Sequence, residues 1–140
     1  MKDDETVCIV ASDGKTRRIL DALRHKTGHP ERWCATGKLN LIQGMETPEQ
    51  QVEHILDLAA QTDGRLRIFG DMRWTRDRGW RMENPGRLER TLNQPPRPNG
   101  CLFLCQCLLD DFTGREIMMA IETHTHGIYR GQIKKNHYGQ

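Results

Sequence analysis

Several features are scarce in these 140 residues, and each absence closes off a class of protein. No apolar run approaches the ~20 residues a helix needs to cross a bilayer. The opening MKDDET is too polar for a secretory leader, so a cytoplasmic protein with no membrane partner is expected. Neither sign of charge is in surplus, with 21 Lys and Arg against 19 Asp and Glu. No strong field therefore points to nucleic acid or to an anionic surface. Arg73, Arg76, Arg78 and Arg81 cluster, but with Asp77 and Glu83 among them they read as a solvated loop rather than a DNA footprint. The five cysteines, Cys8, Cys34, Cys101, Cys105 and Cys107, are odd in number, and four lie in apolar or aromatic segments. They read as free, mostly buried thiols of a reducing compartment, not as a disulfide framework. Internal repeats and low-complexity tracts are missing too, and the length suits one domain over 1–140.

A further absence decides how the first motif is read. VCIVASDGKTRRIL, Val7 to Leu20, has the look of a strand, a turn with Gly-Lys-Thr and a helix. A phosphate-cradling loop needs another glycine five residues before the glycine of Gly-Lys-Thr, so that backbone N–H groups can curl around the phosphates. That position holds Ile9, a β-branched strand residue. Between Ala11 and Lys15 there are too few residues for a nest of amides. A plain strand-to-helix turn with Ser12 or Asp13 as cap accounts for the segment.

What is present alternates between two periods. After a strand at Val7 to Ala11, Ile19, Leu20 and Leu23 recur at helical spacing, and Gly28 and Pro30 close that helix. Trp33 to Thr36 and Leu39 to Gln43 read as short strands separated by Gly37. Thr47, Pro48 and Gln50 spell a capping box with proline in the first turn, ahead of Val52, Ile55, Leu56 and Ala59 on one helical face. RLRIFGDM follows as a strand ending at Gly70-Asp71, then a helix from Asn84-Pro85 carries Leu88 and Leu92. A proline-rich loop, QPPRPNG, leads to CLFLCQCLL, a continuous apolar run expected of an interior strand. Thr113 and Glu116 form a second capping box before Ile117, Met118, Ala120 and Ile121, and Ile128 and Tyr129 suit a last strand. Strands and helices alternating at this pace predict a three-layer α/β fold, a mainly parallel sheet flanked by helices.

Three constellations bear chemistry. Cys101, Cys105 and Cys107 precede His124, His126 and His137, but C-x3-C-x-C is not a zinc spacing, and cysteines on one strand face also suit a packed core. No metal and no cofactor is expected. Cys105 with His124 is a conceivable nucleophile and base, if the fold brings them together. Asp71, Arg73 and Trp74 put an acid, a base and a large aromatic directly after a strand, at the end of the sheet where open α/β folds bind ligands. The same residues suit turn capping and packing over the sheet edge.

Taken in order, RLRIFGDMRW, LERTLN, LCQC with DDF, and ETHTHGIYRGQIKKNHY resemble the MEDS sensory domain family, named for methanogen and methylotroph sensors. The resemblance runs through Gly70, Asp71 and Trp74, then Glu89, Leu92 and Asn93, then Cys105 and Gln106, then Thr123, His124, Gly131, Asn136 and Tyr138. Aspartate stands at 71 where glutamate is more usual. Cys107 stands in place of a tyrosine, and Thr125 and His137 in place of prolines. The resemblance implies a truncated RecA-like domain without a phosphate-binding loop, the first strand-helix unit being absent. It also implies a non-enzymatic sensory or regulatory module in signal transduction and transcription regulation, which binds a small ligand or a signalling protein at the carboxyl ends of the strands. Asp71, Arg73, Trp74, Cys105 and His124 are the expected ligand-binding residues. The missing unit leaves a sheet edge through which a homodimer is expected to form. Two other readings stand beside this one: a degenerate nucleotide hydrolase using Lys15 and Asp71, and a zinc-binding nucleic-acid module.

Overall fold

The computed structural model describes residues 4–94 and 100–136. The chain runs β1 (Glu5–Val10), α1 (Asp13–Thr27), α2 (Pro30–Ala35), β2 (Leu39–Ile42), α3 (Pro48–Gln61), β3 (Arg65–Asp71), α4 (Trp74–Asp77), α5 (Glu83–Leu92) and β4 (Cys101–Gln106). A 3-10 turn at Leu109–Asp111 then leads to α6 (Gly114–Thr123) and a hairpin of β5 (His126–Tyr129) and β6 (Gln132–Lys135). Strands β1 to β4 form one parallel sheet in the order β2-β1-β3-β4. Parallel neighbours need a crossover long enough for a helix, and the helices between the strands supply it.

Strand alternation sorts the side chains into two cores. Cys8, Val10, Leu66 and Ile68 point to one face, where Ile55 of α3, Leu88 and Leu92 of α5, and Trp74 pack on them. Ile9, Ala11 and Leu39 point to the other, against Ile19 and Leu23 of α1 and Trp33 of α2. Leu66 is 1% exposed; burying a side chain of this kind contributes roughly 1.5–3 kcal/mol. The result is a sheet between two helical layers. Among the described residues, no helix is long and apolar enough to cross a membrane.

Both expected capping boxes form. Thr47 Oγ1 accepts from the Gln50 amide at 3.3 Å, and Gln50 Oε1 accepts from the Thr47 amide at 3.2 Å. Thr113 and Glu116 make the same reciprocal pair ahead of α6.

Three expectations need correction. Trp33 to Thr36 is not a strand: most of it belongs to α2, because Gly28, at φ 89°, ends α1 and Pro30 starts a new helix in the position where its missing N–H costs nothing. β4 is not interior but an edge strand. Cys101, Phe103 and Cys105 face inward, while Leu102 and Leu104 remain 56% and 45% exposed because α1 and α2 cover only the far side of the sheet. The thiols are free, but only Cys8 is fully buried; Cys34 is exposed and the other three are partly buried. Burial pushes the Cys8 thiol up to about 12. Most of the proline-rich loop, residues 95–99, lies outside the described residues.

The expected last strand is half of a separate antiparallel hairpin, in which Ile128 faces Ile133. Its turn at Arg130 and Gly131 has positive φ at both residues, the geometry that matches a two-residue hairpin loop to strand twist.

Candidate functional site

The sheet reverses its order of growth at β1, which has β2 on one side and β3 on the other. The crevice beyond the carboxyl ends of β1 and β3 is where such folds commonly hold ligands. In this chain charged side chains pair across it. Only Ala11 and Ser12 separate β1 from α1, so Gly14, Lys15 and Thr16 lie in the first helical turns and no loop exists to wrap a phosphate. Lys15 Nζ sits 3.3 Å from Asp71 Oδ2. Asp71 Oδ1 accepts from the Arg73 amide at 3.3 Å, closing a local turn, while Asp13 accepts from Gln43 and Gln43 accepts from Arg78 at 2.9 Å.

One strand further along, the carboxyl end of β4 meets α5 and α6 around a cavity of about 30 Å³, room for a molecule of a few heavy atoms. Met72, Phe112, Met119 and Ala120 make its walls mostly apolar, and Cys107 also lines it. At its inner side three polar groups converge. Glu89, on the buried side of α5 with Leu88 and Leu92, has a side chain only 9% exposed. Its Oε1 accepts from the Cys105 thiol at 2.9 Å, and its Oε2 lies 3.5 Å from His124 Nε2. The ligating atoms of Glu89, Cys105 and His124 all lie within 4.8 Å of one another.

The surroundings hold this group in place. His124 Nδ1 is 2.6 Å from the Ala120 carbonyl, which can only accept, so Nδ1 carries a proton. Nε2, enclosed in the protein, lacks hydrogen-bond geometry to Glu89 and finds no other partner among the described residues. Asn93 donates to the Thr123 carbonyl at 2.9 Å and Asn136 to the His124 carbonyl at 3.0 Å, tying the end of α6 to α5 and to the hairpin.

Burial first, and then the Glu89 carboxylate, raises the Cys105 thiol well above its ordinary range. Burial, followed by the charges of Glu89, Asp71 and Glu116, pushes Cys107 up to about 11. Neither is an activated nucleophile, because attack requires the thiolate. Cys105 also gives its proton to Glu89 and not to His124, so the pair lacks the arrangement of a nucleophile and its base.

Of the residues expected from sequence, Cys105 and His124 meet in the cavity. Asp71 and Arg73 lie outside it: Asp71 in the crevice pair with Lys15, and Arg73 largely exposed, 3.7 Å from Asp111. Trp74 is 3% exposed, stands edge-on to Trp80 at 4.7 Å between centroids, and covers Gly44, where any Cβ would collide with its ring. Sequence reasoning assigned Glu89 no role in the site. It stood in the LERTLN element of the family resemblance and three residues from Leu92 on the buried side of its helix, and those were the available signals. Cys101 is on β4 with Cys105, and the His126 ring lies 3.0 Å from the Thr125 hydroxyl. His137 lies outside the described residues.

A groove between α3 and α5, about 320 Å³, is larger but more open, and its charged residues, Glu49, Glu53 and Asp57, carry one sign of charge. It shows no convergence of different donors and acceptors.

A four-stranded parallel sheet between helical layers defines a three-layer α/β domain of the Rossmann or RecA-like class. A family model described as "MEthanogen/methylotroph, DcmR Sensory domain" matches residues 1–125, and the chain belongs to this MEDS family of sensory domains. No curated protein and no solved structure matches the chain.

With Lys15 committed to Asp71 and no amide nest beside it, Mg-ATP is expected to leave the melting temperature unchanged. A nucleotide present at 100 times its dissociation constant would add ~2.7 kcal/mol. A shift of that size in a thermal melt would contradict this reading of the crevice.

Proposed function

We propose that this protein is a non-enzymatic sensory module whose ligand site is the cavity between β4, α5 and α6. The ligand is a small molecule, apolar over most of its surface, with a polar end directed at Glu89, Cys105 and His124. The observation that carries the reading is one enclosed ring nitrogen, His124 Nε2, without a hydrogen-bond partner beside a mostly apolar cavity. Apolar walls with a few convergent polar groups are what small-ligand sites share. The family supports a sensory role, and three of its separate sequence elements contribute Glu89, Cys105 and His124. One-carbon and short hydrocarbon derivatives have the right size and polarity.

A thermal-shift screen of short alcohols, amines, thiols and halomethanes tests this directly. Wild type is expected to be stabilised by at least one class. Met119→Trp, which fills the cavity, and the milder Ala120→Val, which narrows it, are expected to lose that response while keeping the wild-type circular dichroism. No stabilisation by any class, or an equal response from both variants, would defeat the proposal.

For output we propose self-association through β4. This edge pairs only with β3 among the described residues, and beside it Leu102 and Leu104 present apolar surface that no helix covers. Two copies pairing β4 with β4 about a two-fold axis would satisfy both edges and cover both pairs of leucines. The expected mass in solution is that of a dimer for wild type and of a monomer for Leu104→Lys. A wild type that stays monomeric at all accessible concentrations would rule out this arrangement.

A further inference from the structure

We propose that Glu89, Cys105 and His124 bind a zinc-class divalent cation, with one coordination position left open toward the cavity. Three observations carry this. The ligating atoms belong to three different chemical types and already lie within 4.8 Å of one another, so small shifts bring them to the 2.0–2.3 Å at which zinc binds oxygen, nitrogen and sulfur. His124 is arranged as metal-bound histidines are: one ring nitrogen donates to a backbone carbonyl, which in the neutral ring fixes the tautomer, and the other ring nitrogen faces the cluster. That second nitrogen faces a carboxylate oxygen at 3.5 Å without a hydrogen bond. Two electron-rich atoms enclosed side by side repel unless a proton or a cation lies between them.

The charge also balances. A divalent cation held by one carboxylate, one thiolate and one neutral imidazole forms a site of zero net charge, which a mostly apolar surrounding tolerates far better than a lone ion. The Cys105 proton, now donated to Glu89, leaves to solvent as the sulfur–metal bond forms, and nothing is oxidised or reduced. A thiolate and an imidazole favour zinc over magnesium or calcium, which prefer all-oxygen sites. Three protein ligands leave the fourth tetrahedral position open, as in zinc sites that bind exchangeable molecules. It would face the space lined by Met72, Phe112 and Met119. The inference deepens the proposed ligand site and rests on the same cavity, but metal retention is measured without any ligand, so either can fail while the other stands.

The full chain is purified without chelator, dialysed and analysed for metal, then stripped and titrated with Co²⁺. Wild type is expected to keep about one zinc per chain and to develop a thiolate-to-cobalt charge-transfer band with four-coordinate ligand-field absorption. Cys105→Ser and His124→Asn should abolish that band or the retention. Glu89→Gln, which keeps an acceptor for the Cys105 thiol and the shape of the side chain, should weaken retention by at least ~10-fold, since even outer-sphere changes cost that much. Cys34→Ser, remote and exposed, should behave as wild type. The proposal is overturned if wild type retains no more metal than Cys105→Ser and shows no charge-transfer band. It is equally overturned if all the variants retain metal alike, which would put the ion elsewhere.

Discussion

A carboxylate enclosed between two helices and a strand has to be answered by groups that face it, and Glu89 imposes that condition on this end of the molecule. Cys105 reaches it because the register of β4 on β3 turns alternate residues inward. His124 reaches it because α6 ends there, with the carbonyls of its last residues held by Asn93 and Asn136. Removing any one of these supports would leave a buried polar atom without its neighbour.

The sheet explains why the cavity lies where it does. In a doubly wound fold the crevice between β1 and β3 is the usual place for a ligand, and a nucleotide-binding relative would fill it with phosphates. Here Lys15 and Asp71 pair across it, and Asp13, Gln43 and Arg78 are linked beside it. The apolar-walled cavity lies one strand outward, at the end of β4. The same strand presents Leu102 and Leu104 on its uncovered face, so the proposed ligand site and the proposed dimer edge lie on opposite faces of six residues. A shift in β4 on ligand binding would be felt at both.

Most of the fold was legible because its signals are local. The capping boxes at Thr47 and Thr113, Pro48 in the first turn of α3 and the alternation of RLRIFGD each depend on neighbours in sequence, and each formed as read. Trp33 to Thr36 misled because Trp, Cys and Thr suit strands, while the Gly28 and Pro30 signals that restart a helix lie upstream. CLFLCQ misled because a continuous apolar run reports burial of two faces, and only the intact assembly decides what covers the second. In the site, Cys105 and His124 were legible as chemistry-bearing types near the end of a strand and a helix. Trp74 suggested a binding wall but serves the core, lying over Gly44. Glu89 was named in the family resemblance but given no role in the site, since a single acid within an amphipathic helix is ordinarily solvated; only the tertiary packing of α5 on α6 and β4 turns it inward.

The central claim is that the Glu89 carboxylate is kept for binding and not for folding. Urea unfolding of Glu89→Met, a side chain of similar length without charge, tests it most directly. A carboxylate kept for binding at the expense of folding predicts stability equal to wild type or higher, because enclosing a charge that no cation fully pairs costs more than enclosing a methionine in its place. A loss of ~3–5 kcal/mol, the usual result of breaking a buried ion pair, would show that Glu89 holds the fold together and would contradict the account.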